Sequence, residues 1–249
     1  MTKSEADRQR ECRTEVLEAL VALYLRLNGY FCITNYLYHR TKEDAEGLRA
    51  ESDLLALRVP HQVERLEDGT EQANDTTLIL PTSDGRIDCL IAEVKERTIE
   101  FNRPVCKPEG WKIIADAVRM FGVLPAKEFD NDGSGTIIAR ALHSQITAPG
   151  WKQLPAAGDG EKGRVCLRMP VFAPNTAKHA RDRKFISLEH CLEFVRLRMR
   201  PGQACSAYYR GLKFSPWRGT TRRIVNFLDE SCGKRQTPTV ELLLGRLCV

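Results

Sequence analysis

The residues with the most chemistry to offer lie in two short stretches, "ESDLLALR" (Glu51–Arg58) and "IAEVKE" (Ile91–Glu96). On a strand, side chains two positions apart project from one face, so Glu93 shares a face with Lys95, and Glu51 with Asp53. If the two stretches are neighbours, Asp53, Glu93, Lys95 and Glu51 gather in one patch. Burying several carboxylates beside an apolar core is costly unless a positive charge neutralises them. A salt-bridged edge strand would meet that need with a side chain. A hard divalent cation would meet it too, since Mg2+ typically takes one or two carboxylates and keeps its waters. A lysine beside such a cation could orient or help deprotonate a bound water, which would then attack a phosphodiester.

The acid-any-lysine spacing does not single out one place, because Asp182-Arg183-Lys184 repeats it. That second copy lies in a polar, basic segment with no acidic strand to partner it, and it reads as a decoy. The Glu93-Val94-Lys95 copy has an apolar strand before it, an acidic strand upstream and a helix after it.

The elements that must position these residues follow from hydrophobic spacing. Val16, Leu17, Leu20, Val21, Leu23, Tyr24 and Leu27 predict a helix over 5–28, stopped by Gly29. "YFCITNYLY" and "ESDLLALRV" read as strands, and the polar residues 61–76 as loop. "TTLILP" and "GRIDCLIAEVK" flank Ser83-Asp84-Gly85, a hairpin signal, and the continuous "CLIAEV" predicts a strand covered on both faces. A helix is expected over 108–124. "GTIIARALH" and "RVCLRMPVF" read as strands separated by the loop "APGWKQLPAAGDGEKG". "ISLEHCLEFVRLRMR" reads as a helix capped by Ser187, with shorter helices near 219–230 and 239–246. Strands alternating with long helices predict an α/β fold.

Together these residues resemble the core of the PD-(D/E)xK nuclease superfamily, which includes restriction endonucleases and archaeal Holliday junction resolvases. "ESDLLALR" followed by "LIAEVKE" carries the resemblance, and "EALVALYLRLNGY" is similar to the resolvase-like opening, in which a helix acid precedes a glycine-aromatic pair. It covers roughly residues 10–122. It implies an α/β, restriction-endonuclease-like core with a central mixed β-sheet flanked by helices, expected over residues 1–180. Charge and helical spacing, outside the resemblance, add the expectation of a basic helical extension over 181–249 packed on that core. The resemblance also implies Mg2+, with Mn2+ able to substitute, held by Asp53, Glu93 and the backbone carbonyl of Val94. Lys95 would position the attacking water, and Glu18, with Glu15 as fallback, would be the helix acid. The implied reaction is hydrolysis of a phosphodiester bond in nucleic acid, with DNA favoured over RNA. The family's proline is absent, since Ser52 precedes Asp53, and the stretch between Asp53 and Glu93 must hold an insertion. Asp88 is a rival for the aspartate, but it lies five residues from Glu93 in one strand, on the opposite side and roughly 16 Å away. Asp84, at a turn, is the second choice.

Charge is uneven along the 249 residues. Residues 1–100 carry 13 Lys+Arg against 20 Asp+Glu, whereas residues 181–249 carry 14 against 6. Arg181, Arg183, Lys184, Arg222 and Arg223 are candidate phosphate contacts, with Arg196, Arg198 and Arg200 nearby in sequence, and Tyr208, Tyr209 and Trp217 could stack on bases. For Arg196, Arg198 and Arg200 a solvated helix is the better expectation, because alternate helical positions do not share a face. No apolar run approaches the roughly 20 residues of a membrane helix. The polar start is unlike a secretory signal, so a cytoplasmic location is expected. Nine cysteines without a CxxC read as reduced thiols, mostly small buried hydrophobes. The five histidines are scattered, and neither GxxxxGK[ST] nor GxGxxG occurs. Cutting both strands of a duplex usually takes two sites, so a homodimer or a partner protein is expected. The rival expectation is a non-catalytic nucleic-acid-binding or assembly subunit that keeps the fold, with a structural subunit of incidental charge third.

Overall fold

Hydrophobic spacing produces the first helix, α1 (Glu5–Leu27), with Val16, Leu17, Leu20, Val21 and Tyr24 buried along one side. Ser4 caps it by accepting the Asp7 amide at 3.2 Å, and Glu5 and Asp7 complement the positive end of its dipole. It stops at Gly29, whose φ of +82° suits glycine, and where an added Cβ would come within 2.5 Å of the Gln62 side chain. The structure, a computed structural model, describes residues 4–37, 51–65, 69–78, 85–130, 133–148, 156–158, 165–181, 183–198, 219–233 and 236–248.

Strand β1 (Phe31–Leu37) pairs antiparallel with β2 (Glu51–Arg58). A small separate hairpin, β3 (Glu64–Arg65) and β4 (Glu71–Gln72), occupies part of the segment expected as loop. Strand β5 (Ile87–Val94) pairs antiparallel with β2, Leu54 facing Ala92 and Leu55 facing Ile91. Its expected hairpin partner is not a strand where it is described: Thr76–Leu78 form a turn, and the rest of "TTLILP", with Asp84, lies outside the described residues.

Helices α2 (Gly110–Met120) and α3 (Ser134–Thr147) follow. The second corrects the strand expected from "GTIIARALH". Thr136, Ile137 and Ile138 are β-branched, but Ile138, Ala139, Leu142 and Ile146 are buried at helical spacing while Ile137 is exposed, so tertiary packing overrides local propensity. Strand β6 (Ala156–Gly158) lies in the segment expected as loop, antiparallel to β7 (Val165–Arg168). The single strand expected from "RVCLRMPVF" is two, because Pro170 has no N–H for a ladder. Both β7 and β8 (Val171–Ala173) run parallel to β5, and β9 (Ile186–Ser187) runs parallel to β8. Helices α4 (Leu188–Arg198), α5 (Thr220–Gly233) and α6 (Val240–Leu247) complete the described chain, and the Ser187 hydroxyl accepts the His190 amide at 3.0 Å as expected of an N-cap.

The protein is therefore α/β, with a mixed central sheet flanked by six helices among the described residues. Leu54, Ala56, Leu90, Ala92 and Val94 pack on one face against α1, α4, α5 and α6; Leu55, Cys89 and Ile91 pack on the other against α2 and α3. Burial on both faces is what the unbroken apolar run of β5 requires. The C-terminal helices share one hydrophobic cluster with α1. No helix among the described residues is long and apolar enough to cross a membrane.

Two polar networks fasten the α1 layer, one to α4 and one to the sheet. Tyr24 donates to Asp75 at 2.7 Å, and His190 on α4 meets the same carboxylate oxygen at 2.5 Å. Burial alone would raise Asp75, but hydrogen bonds from Tyr24, the Thr77 amide and His190 outweigh it and hold the carboxyl below its ordinary value. The other network answers for Asp88. Its carboxylate is fully buried and takes both arms of buried Arg168, with Nε at 3.0 Å; Arg168 also donates to the Leu78 carbonyl at 2.6 Å and to the Tyr30 hydroxyl at 3.0 Å. Asp88 is committed to the core. Arg168→Met should destabilise the fold by about 3–5 kcal/mol in urea unfolding, because it strands a buried carboxylate. Adding Asp88→Leu should recover much of that loss.

Candidate functional site

The antiparallel register that pairs Leu54 with Ala92 brings Asp53 and Glu93 to the same end of β2 and β5, on the sheet face that carries Leu55 and Ile91. Glu93 is buried to 1%, and Asp53 and Lys95 keep only 15% and 18% of their side-chain surface in solvent. The Lys95 ammonium sits between the two carboxylates, hydrogen-bonded to Glu93 Oε2 and 3.5 Å from Asp53 Oδ2. Its further bond, 2.9 Å to Asn102 Oδ1, comes from the segment after the strand. Asp53 Oδ2 also accepts the Val94 amide at 2.6 Å, which fixes the aspartate against the end of β5. Burial alone would lower the Lys95 pKa, but Glu93 and Asp53 outweigh it and hold the ammonium above the ordinary lysine value.

Around this trio lies a groove with α1 as one wall. Asp53 and Glu18 line a cavity of about 790 Å3 with Asp7, Arg10, Glu11, Thr14, Glu15 and Asn35. Asp53, Val94 and Lys95 line an adjoining one of about 370 Å3 with Arg10, Thr14 and Arg97. A third, of about 440 Å3, continues past Arg10, Arg13 and Arg97. Asp7, Arg10, Glu11, Thr14, Glu15 and Glu18 belong to one polar stripe at helical spacing, opposite the buried stripe. Arg13 clamps that helix to the segment after Lys95, its Nε and Nη2 lying 2.8 and 2.7 Å from Glu96 Oε1. Arg10 lines all three cavities, with acids in the majority beside Asp53 and Arg97 joining it beside Lys95.

The candidate residues divide cleanly. Asp53, Glu93, Val94 and Lys95 converge, and Glu18 lines the groove beside Asp53. Glu15 also lines it and accepts the Thr220 hydroxyl from the first turn of α5. Arg181 and Lys184 are exposed beside the segment that follows Lys95, since Lys178 N donates to Arg97 O at 2.7 Å and Ile99 N to Lys178 O at 3.1 Å. Arg183, however, donates to the Ile99 carbonyl, and Arg223 to the Leu247 carbonyl. Arg222 is exposed on α5. Arg196 pairs with Glu193, and Arg198 is buried against Glu64 and the Ala73 carbonyl, so neither faces a polyanion freely. Arg200, Tyr208, Tyr209, Trp217, Asp182 and the side chain of Glu51 lie outside the described residues.

Several residues at the site carried no sequence signal strong enough to find them. Asn102, Arg10, Arg13 and Arg97 are ordinary polar residues until the fold gathers them. Asn35 is different. It sits within β1 at φ +54°, in the gap between the Thr34–Leu54 and Tyr36–Ser52 pairs, and lines the groove with Asp53. Asparagine tolerates this left-handed conformation and is poor in strands, so its presence in "YFCITNYLY" was a legible inconsistency.

The donor set suits a small hard cation. Two carboxylates and a backbone carbonyl are oxygen ligands of the kind Mg2+ accepts, with water completing its shell. The Lys95 ammonium held between Asp53 and Glu93 demonstrates that this spot attracts positive charge. Among the described residues, no three His, Cys, Asp or Glu side chains form a metal cluster, so the protein's share would be small.

Lys95 stabilises the fold while it is protonated. Because its folded pKa is raised, that contribution is complete below the ordinary value of 10.5 and is lost as pH rises through the folded value. Lys95→Met should cost about 1–3 kcal/mol in urea unfolding at neutral pH, and its deficit relative to wild type should shrink above pH 10.5. Compared with known protein families, curated proteins and solved structures, the chain matches none.

Proposed function

We propose that the protein is a metal-dependent nuclease of PD-(D/E)xK type that hydrolyses phosphodiester bonds in nucleic acid, with DNA favoured over RNA. The observation that carries it is the meeting of Asp53, Glu93 and Lys95 across forty positions of sequence, at the mouth of a groove that Glu18 also lines. The mixed sheet with helices on both faces agrees with a restriction-endonuclease-like core.

Asp53, Glu93 and the Val94 carbonyl would hold Mg2+, or Mn2+ in its place, with Glu18 facing its waters. Bound there, the ion supplies Lewis-acid polarisation of the phosphodiester. Lys95 would exchange its contact with Glu93 for one to the attacking water or a phosphate oxygen, and Asn102 would keep its ammonium at the mouth. Arg10 and Arg97 are positioned to hold the backbone phosphates on either side, where a charge-assisted fit is strongest. In the overall reaction one water adds, one P–O bond breaks, and the products are a phosphate monoester and a hydroxyl.

One observation favours a non-catalytic alternative, a nuclease-fold subunit that binds nucleic acid or assembles with a partner. Lys95 already pairs with both carboxylates, giving the site a cationic partner without any added ion.

Purified protein incubated with Mg2+ or Mn2+ and single- or double-stranded DNA and RNA separates the two. Wild type is expected to cut, and Asp53→Ala and Lys95→Ala are each expected to lose at least about a hundredfold in rate while retaining most binding. Equal binding by all three with no cutting would favour the binding subunit. Arg97→Ala should lower the slope of log affinity against log salt by about 0.9 on a duplex, as one phosphate contact predicts, and no change in slope would remove Arg97 from the interface.

A further inference from the structure

Where α6 meets α1, two thiols face each other. The Cys12 sulfur stands 2.8 Å from the Cys248 sulfur and 3.5 Å from the Leu247 carbonyl oxygen. Carbon atoms in contact rest about 3.5–4.0 Å apart and sulfur is larger, so these sulfurs are closer than unbonded atoms normally sit. A disulfide of about 2.05 Å would need them to approach by only about 0.8 Å more. The residues are 236 apart in sequence, so chain connectivity does not force the meeting. Packing does: Val16, Leu17 and Leu20 of α1 and Leu243, Leu244 and Leu247 of α6 belong to one buried cluster, with Cys12 at its margin and Cys248 within it.

We propose that Cys12 and Cys248 are a redox-sensitive pair that forms a reversible disulfide and latches α6 to α1. Cys12 is half-buried and is the sulfur an oxidant can reach, whereas Cys248 is buried. Burial, with the neighbouring Cys12 thiol, pushes Cys248 up to about 12 against the pull of Arg13 and Arg223, and Cys12, the more exposed sulfur, attacks first. With a small-molecule disulfide as oxidant, Cys12 attacks one of its sulfurs, the S–S bond breaks, and one thiol leaves. Cys248 then gives up its proton and attacks Cys12 sulfur in the mixed disulfide, releasing the second thiol. Two protein thiols lose two electrons and two protons, and the oxidant disulfide becomes two thiols.

The latch has a structural consequence for the groove. Residues 5–11 of α1 are exposed on every side, and Cys12 is where the helix begins to pack on the core. The next residue, Arg13, holds Glu96 beside Lys95. A bond at Cys12 therefore anchors the root of the helical segment that walls the groove, whether or not the groove cuts nucleic acid.

The test uses the full chain and oxidised glutathione, followed by alkylation, tryptic digestion without reduction, and mass spectrometry. The expected product is the peptide Glu11–Arg13 joined to the peptide beginning at Leu247, lighter by two hydrogens than the separate thiols. The oxidised chain should melt roughly 5–15 °C higher than the reduced one, and dithiothreitol should reverse the rise. Cys12→Ser should abolish the link and the shift, and Cys106→Ser, which removes an exposed thiol, should preserve both. Cys12 recovered as a stable glutathione adduct, or Cys12 and Cys248 both alkylated after oxidation that consumes Cys106, would overturn the proposal. If Cys12→Ser does not fold, the wild-type peptide map still decides.

Discussion

The register between β2 and β5 is the constraint on which the rest depends. With Leu54 opposite Ala92, Asp53 and Glu93 fall on one face and can share the Lys95 ammonium. A slip of one residue would turn Asp53 toward α1 and away from Glu93, exchange Leu55 with Leu54 on the two cores, and bury a carboxylate without its cation. The apolar residues enforce that register from both sides, because each face of β5 is covered by its own helical layer. Packing, in other words, positions the charges, and Lys95 makes their positions tolerable.

Two acid–base clusters share strand β5 and differ in a way that assigns them different work. Asp88 and Arg168 lie essentially without solvent, Asp88 at the end of β5 away from Glu93, and their polar atoms are satisfied by each other, by Tyr30 and by the Leu78 carbonyl. A pair so enclosed holds layers together and has nowhere to admit a ligand. Asp53 and Lys95 lie at the strand end beside open groove with part of their surface in water, and the buried Glu93 is held directly behind them by Lys95. A charge at such a mouth can change partners without the sheet having to open. That difference in access, more than any difference in residue type, separates the structural acid from the candidate functional ones.

The groove itself is built from what the core leaves over. The buried stripe of α1 sets the helix against the sheet, and the opposite stripe of Asp7, Arg10, Glu11, Thr14, Glu15 and Glu18 is then necessarily turned along the strand ends. Arg13 and Glu96 fix the spacing of that wall from β5, and Asn35 relaxes the ladder opposite Asp53. The backbone departs from regular strand geometry next to the candidate site, where such local strain is commonly concentrated.

Much of the fold was legible from residue order alone: α1 with its glycine stop, β1, β2, the doubly covered β5, α2, and the Ser187-capped α4 follow from period, capping and β-branching. Spacing also determined that Glu93 must share a face with Lys95, and local order was enough to set Asp88 apart from Glu93. It misled at α3, where three β-branched residues in a row outweighed a helical burial pattern visible only over a longer window, and at "RVCLRMPVF", where one proline divided a strand in two. Only the tertiary structure decided that Asp53 meets Glu93, that Asn102 is the third partner of Lys95, that Arg183 and Arg223 are tied to backbone carbonyls, and that Cys12 meets Cys248. The physical reason is range. Helical and strand periodicity act between residues a few positions apart, whereas these contacts join residues brought together by strand register and by helices closing over a shared core.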